Sequence, residues 1–210
     1  MIRILVADDH AVVREGMKQI LAEVVDIVVK DEAENGAVTI EKISQHDYDL
    51  VLLDISMPGR SGLEVLEDIK NRRPRLPVLI LSMHPEEQYA VRALRAGASG
   101  YLTKSSAPQE LIGAIRKVAG GGKYVTSTLA EKLADELEVN AEKKPHEKLS
   151  NREHQVMLML AEGKSVSDIA DELFLSVKTI STYRTRIMAK MGMKKNAELT
   201  LYAVHNQLIQ

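Results

Sequence analysis

The chain reads as α/β: a five-stranded, parallel, doubly wound sheet of the flavodoxin type, followed by a small all-α part of four helices with a helix-turn-helix. Three observations predict it. Short β-branched runs alternate with longer segments of helical period up to about residue 120, as in a parallel sheet covered on both faces. The alternation ends at Gly120-Gly121-Gly122, a poor helix interior and a good chain exit. From Leu149 onward the pattern is helical throughout.

The strands expected are 2–7, 27–33, 50–54, 78–81 and 100–102, and the helices between them 11–24, 35–45, 62–72, 86–96 and 108–119. Pro108 suits a first helical turn, where its missing N–H costs nothing. One more helix is expected over 127–139, and the charged, Pro-containing stretch 140–147 has the composition of a solvated linker. The boundaries expected are therefore 1–122, a connecting region 123–147, and 148–210. In the last part Ser150 and Glu153 have capping-box spacing ahead of an apolar stretch. Helices follow at 166–173, 177–191 and 196–208, the second of them N-capped by Ser176. Two helices joined by so short a turn, Phe174-Leu175-Ser176, form a helix-turn-helix.

Composition narrows the classes. With 210 residues, 45% hydrophobic and 28% charged, the chain is globular and long enough for two cores. It has no cysteine, which excludes disulfides and thiolate metal sites. Without an apolar run near ~18 residues or a basic-then-apolar leader, no membrane contact is expected, and the expected location is the cytoplasm. Charge is uneven: residues 148–210 hold nine Lys or Arg against six Asp or Glu, the rest nineteen against twenty-four. A basic end on an acidic front hints at nucleic-acid contact in the former.

Chemistry gathers at strand ends. Asp8 and Asp9 follow the first strand, Asp54 closes the third, Ser82 follows the fourth and Lys104 the fifth. Ligands of open α/β sheets bind outside the carboxyl ends of the strands, so these groups converge on one edge. Three carboxylates, a hydroxyl and an ammonium suit a Mg²⁺-dependent aspartyl phosphate. Mg²⁺ takes one or two carboxylates with waters and phosphate oxygens, Asp54 serves as nucleophile, and Lys104 and Ser82 meet phosphoryl oxygens. Taken singly, each residue is an ordinary turn residue or solvated charge; the set, ending different strands of one sheet, is what points to function.

In the last part, Ile180, Tyr183, Ile187 and Met191 fall on one face of the helix 177–191 at ~100° per residue. The opposite face presents Lys178, Ser181, Thr182, Thr185 and Ala189, small polar side chains beside a cation, suited to base edges. Thr179, Arg184 and Arg186 flank that face, where phosphates would lie. Between 178 and 195 there are six Lys or Arg and no acid.

These same residues carry a resemblance. Leu5-Val6-Ala7-Asp8-Asp9-His10, Leu52-Leu53-Asp54-Ile55-Ser56-Met57-Pro58-Gly59 with Gly62, Leu81-Ser82-Met83-His84 and Gly100-Tyr101-Leu102-Thr103-Lys104 resemble the receiver domain of a two-component response regulator. Leu149-Ser150-Asn151-Arg152-Glu153, Ala161-Glu162-Gly163, Ile169-Ala170, Leu175-Ser176-Val177-Lys178-Thr179-Ile180 and Lys190-Met191-Gly192-Met193 resemble a LuxR-type helix-turn-helix domain. The whole chain is similar to the NarL/FixJ subfamily. The resemblance implies that Asp54 accepts phosphate from a histidine kinase. It implies that Mg²⁺ sits on Asp9, Asp54 and the Ser56 carbonyl with Asp8 supporting, and that Ser82 and Tyr101 form the switch pair. It implies that Ser56 and His84 tune dephosphorylation. By position, Ser181, Thr182 and Thr185 face bases of double-stranded DNA, with Lys178, Thr179 and Arg186 near phosphates. The helix at 196–208 then makes a homodimer contact, and RNA polymerase follows as a further partner.

The chain departs from the family pattern at a few places. Ser105 follows Lys104 where many receivers carry proline, and Ser181, Thr185 and Tyr183 replace residues common in relatives. Turnover as an enzyme is not expected, beyond slow self-dephosphorylation. A phosphatase working through an aspartyl phosphate needs a general acid two positions past the nucleophile, and Ser56 does not fill that role at neutral pH.

Overall fold

The computed structural model describes residues 1–127, 129–131 and 144–209. The chain divides into two compact units, Met1–Lys132 and Leu133–Gln210. The first is a five-stranded parallel sheet in the order β2-β1-β3-β4-β5. Its strands are β1 (Ile2–Ala7), β2 (Ile27–Ala33), β3 (Leu50–Leu53), β4 (Val78–Ser82) and β5 (Gly100–Thr103). Between and after them run α1 (Ala11–Ala22), α2 (Gly36–Gln45), α3 (Gly62–Arg72), α4 (Glu86–Arg95) and α5 (Pro108–Ala119). The strands and helices expected between residues 2 and 119 are present, with ends differing by at most two residues.

The central strands are apolar on both faces because both faces are covered. Ile4, Leu5, Leu50, Val51, Leu53, Val78, Leu79 and Ile80 have no exposed surface, and each such side chain contributes roughly 1.5–3 kcal/mol of burial. β2, at the edge, keeps a mixed pattern of exposed and buried positions.

Strand order reverses between β1 and β3, and backbone bonds fix what lies there. The N–H of Asp8 donates to Ala33 O (3.0 Å), that of Asp54 to Ala7 O (2.9 Å) and that of Lys104 to Ser82 O (2.8 Å). The ladders thus continue one residue past their strands, and the side chains at those positions are held by the sheet. Gly62 secures the same edge: a Cβ there would lie 2.1 Å from the Asp54 carbonyl oxygen, so only glycine lets α3 start against it.

The second unit is helical. Its described residues run through a 3₁₀ turn at Pro145–Lys148, then α6 (Asn151–Ala161), α7 (Val166–Glu172), α8 (Val177–Met191) and α9 (Asn196–His205). Ser150 and Glu153 form the capping box expected of them, and Ser176 caps α8 by accepting the Thr179 N–H. α8 closes on Gly192 in the left-handed conformation (φ 68°).

Two expectations need correction. The end of the stretch read as solvated linker is folded: His146 is buried and its Nδ1 lies 2.7 Å from the Tyr202 hydroxyl, a partner 56 residues away that composition cannot reveal. On α8 the buried stripe is Ile180, Ile187, Met188 and Met191, and Tyr183 is only half buried, so the apolar face is rotated from the one expected. Of the helix expected over 127–139, residues 128 and 132–139 lie outside the described residues, as do 140–143 of the linker.

Candidate functional site

The carboxyl edge of the sheet brings Asp8, Asp9, Asp54 and Lys104 together. Lys104 Nζ donates to Asp54 Oδ2 at 2.8 Å and lies 2.6 Å from Asp8 Oδ2, with Asp8 and Asp54 each 1% exposed. The remaining oxygens are held by the loops they sit on. Asp54 Oδ1 accepts the Ser56 N–H (3.1 Å) and Asp8 Oδ1 the His10 N–H (2.9 Å). Arg14 clamps the loop from α1, donating to the Asp8 carbonyl (2.7 Å) and to Glu32.

One ammonium therefore serves two buried carboxylates. Burial opposes the charge on Lys104, but Asp54 and Asp8 outweigh it and raise its pKa. Burial pushes the Asp54 carboxyl above the usual range, and Asp8 adds to that, against the pull of Lys104. The cluster holds more negative charge than its own cation neutralises.

Donor chemistry fits a hard cation. Asp8, Asp9, His10 and Asp54 offer ligand atoms within 4.8 Å of one another, and Asp8 Oδ2 and Asp9 Oδ1 are buried without a well-aligned hydrogen bond. Each has a nitrogen neighbour, Lys104 Nζ for the first and His10 Nδ1 for the second, and as carboxylate oxygens both are of the kind that hard cations such as Mg²⁺ take. His10, whose Nδ1 lies 2.9 Å from Asp9 Oδ1, is a member of this group that strand-end reasoning missed. Its only signal is its place directly after the two aspartates.

Ser82 and Tyr101 are both fully buried and both tied to His84. The Ser82 hydroxyl accepts the His84 N–H (3.1 Å), and the Tyr101 hydroxyl donates to the His84 carbonyl (2.8 Å). Ser56 Oγ lies 3.2 Å from His84 Nε2, so the loops after β3 and β4 touch through these two side chains. The peptide bond between Lys104 and Ser105 is not cis.

On the second unit, Lys178, Ser181, Thr182, Thr185, Arg186 and Ala189 are exposed and Thr179 is half buried. Thr182 and Thr185 donate their hydroxyl protons to the carbonyls of Lys178 (2.9 Å) and Ser181 (3.0 Å), which leaves oxygen lone pairs and methyl groups for other contacts. Thr179 Oγ1 lies 2.8 Å from Ser176 Oγ, at the helix cap. Arg184, expected near phosphates, is committed internally, donating to Asn196 Oδ1 (2.9 Å), and Lys190 of the same helix donates to Glu153 Oε2 (2.6 Å). Glu153, nearly buried, thereby serves both the capping box and the ion pair.

Residues 4–116 match the response regulator receiver domain, and residues 147–203 the luxR family of bacterial regulatory proteins. The chain is 37% identical over 209 residues to the response regulator UvrY of Escherichia coli strain K12, covering 99% of this chain and 96% of that one. It is 38% identical over 216 residues to the oxygen regulatory protein NreC of Staphylococcus epidermidis, covering 99% of each. Among solved structures, RcsB of Salmonella enterica serovar Typhimurium, bound to promoter rprA with the phosphomimetic BeF3⁻, aligns over 97% of this chain and 99% of its own. The identity is 27% and the TM-score 0.66. Another structure of RcsB from Salmonella typhimurium reaches a TM-score of 0.71 at 27% identity, covering 98% of each chain. A receiver with an acid cluster at its sheet edge, followed by a LuxR-type helix-turn-helix domain, defines a two-component response regulator. The chain belongs to the NarL/FixJ family of these regulators.

Proposed function

We propose that Asp54 accepts a phosphoryl group from a histidine kinase, and that this changes how residues 148–210 bind double-stranded DNA and so control transcription. The observation that carries this is the buried pair Asp54 and Asp8 sharing the single ammonium of Lys104 at the point where strand order reverses. A carboxylate fixed there by Ser56 N–H can attack phosphorus. The new O–P bond forms at Asp54 as the P–N bond to the kinase histidine breaks, and that nitrogen takes up a proton.

Asp9, Asp54 and the Ser56 carbonyl, with Asp8 supporting, would hold Mg²⁺. Bound there, it supplies positive charge that offsets repulsion between the nucleophile and the incoming phosphoryl oxygens. Lys104 meets one of those oxygens as a compact cation. Ser82 gives its hydroxyl to another, and Tyr101, tied to the same His84 backbone, senses that shift. The chain acts as a phosphoacceptor and not as a turnover enzyme, with at most slow self-dephosphorylation.

Lys178, Thr179 and Arg186 contact phosphates, while Ser181, Thr182 and Thr185 face bases. Phosphorylated chains act as a homodimer in the cytoplasm, with RNA polymerase as a further partner; no described helix is long and apolar enough to cross a membrane. The working division is a receiver at 1–122, a connecting region at 123–147 and the DNA-binding domain at 148–210. Titration of selected duplexes with wild type and Asp54→Asn, each before and after acetyl phosphate with Mg²⁺, tests the reading. DNA affinity should rise on treatment for the wild type alone. An equal response in the variant, or none in either, contradicts the proposal.

A further inference from the structure

The opposite end of the receiver carries a cation cluster that the phosphorylation chemistry does not use. Lys70 at the end of α3, Arg75 in the loop before β4, and Lys123 after α5 line one cavity of about 340 Å³, together with Gly97, Ser99 and Gly122. No Asp or Glu lines it.

Elsewhere in this unit cations are routinely neutralised. Arg3 pairs with Asp49, Arg14 with Glu32, Lys42 with Asp31, Arg60 with Asp68, Arg73 with Asp47 and Arg116 with Asp26. Lys70, Arg75 and Lys123 have no such partner among the described residues. Two of them are nevertheless held in place. Lys70 Nζ donates to Leu76 O at 2.6 Å, Lys123 Nζ donates to Ala98 O at 2.7 Å, and the Lys70 stem passes close to Gly97, where a Cβ would lie 3.1 Å from its Cγ. Burial, then the charge of Lys123, lowers the Lys70 pKa, and Lys70 has no ion pair among the described residues to offset this.

The simplest alternative is that Lys70 only complements the carbonyl end of α3. That accounts for Lys70 but not for Arg75 and Lys123, which come from other segments to the same cavity. The glycines have local reasons of their own, Gly121 for its φ of 87° and Gly122 for the nearby Lys117 carbonyl, and carry no weight here.

We propose that this cavity binds a small phosphate-bearing anion, of pyrophosphate or nucleotide-diphosphate type, between Lys70, Arg75 and Lys123. Each ammonium spends one donor on a backbone carbonyl and keeps two for the ligand. Arg75, exposed at the mouth, adds a planar fork suited to phosphate oxygens.

The test is a titration of full-length, isotope-labelled protein with pyrophosphate, without Mg²⁺, following the amide signals of Gly97, Gly121 and Gly122 by NMR. Parallel samples receive sodium chloride at matched ionic strength or a random-sequence DNA duplex. Saturable shifts at these glycines beyond the chloride effect are expected. Affinity should fall roughly tenfold or more in Lys70→Gln/Lys123→Gln, while acetyl-phosphate labelling of Asp54 is unchanged. Arg75→Gln, a surface change, should weaken binding several-fold and serves as the variant should the double substitution not fold. Shifts no larger than in chloride, shifts unaltered by the substitutions, or shifts only around Asp54 would overturn the site. Glycine shifts with DNA but not with pyrophosphate would overturn the small-anion assignment in favour of nucleic-acid backbone.

Discussion

The acid cluster of the receiver and the outer face of α8 use charge in opposite ways. At the sheet edge, Asp8 and Asp54 are buried and the Lys104 side chain is only 7% exposed, and each charge has a fixed neighbour within 2.6–2.8 Å. On α8, Lys178 and Arg186 are exposed and make no ion pair among the described residues. A buried site is expensive and pre-organised: its geometry is set before any ligand arrives, and losing one member strands the others. A solvated face costs little to keep and gives its energy only when counterions leave a nucleic acid. Single substitutions should therefore cost folding at the first and binding at the second.

The largest effect is expected from Lys104→Met, which leaves two buried carboxylates without their cation at about 3–5 kcal/mol. The loss should shrink at low pH. With Lys104 gone, the raised Asp54 pKa moves further up, so the folded state holds a proton more tightly than the unfolded one. Stability then falls as pH rises through that range. Urea denaturation at acidic and neutral pH measures this; an equal loss at both would mean that the carboxylates are not the cause.

Gly62→Ala comes next, because its Cβ meets the Asp54 carbonyl and the neighbouring Ile55 backbone, neither of which can turn aside. A cost of about 1–3 kcal/mol is expected, with slower labelling of Asp54 as the loop shifts. Unchanged melting and labelling would show that this edge yields more easily than its backbone bonds suggest.

Glu153→Gln probes the boundary between the two kinds of charge, since its carboxylate is nearly buried while Lys190 is 43% exposed. Burial alone would raise the Glu153 pKa; Lys190 and the Ser150 N–H overcome that and lower it. The carboxylate thus contributes stability above its unfolded pKa, and this is lost as pH falls through the folded one. With the partner partly solvated, about 0.5–1 kcal/mol at neutral pH is expected, vanishing in acid. A thermal-melt comparison across pH decides it.

On the exposed face, Lys178→Ala should leave folding unchanged and reduce the salt slope of DNA binding by about one, whereas Arg184→Ala should reduce it less. Thr185→Ala should alter which sequence is preferred, at ~1 kcal/mol. Equal loss on specific and random duplexes would take Thr185 off the base-reading face.

The contrast also governs what could be read from the residues alone. The sheet was legible because buried parallel strands must be short apolar runs, and the acids could be placed because strand ends share an edge whatever the loops do. The half-buried Tyr183, the diversion of Arg184 to Asn196 and of Lys190 to Glu153, and the folding of His146 onto Tyr202 were not legible. The three hydrogen-bonded cases depend on partners at least twelve residues away, and helical periodicity carries no information about such a partner. The same holds for His84, whose backbone ties Ser82 to Tyr101.

The central claim, that the buried cluster exists to make Asp54 a phosphoacceptor, is tested most directly by intact-mass measurement after acetyl phosphate and Mg²⁺, on wild type and Asp54→Asn. One hydroxylamine-labile phosphoryl group is expected on the wild type, none on the variant, and labelling of Asp9→Asn slowed severely. Undiminished labelling of Asp54→Asn would contradict it.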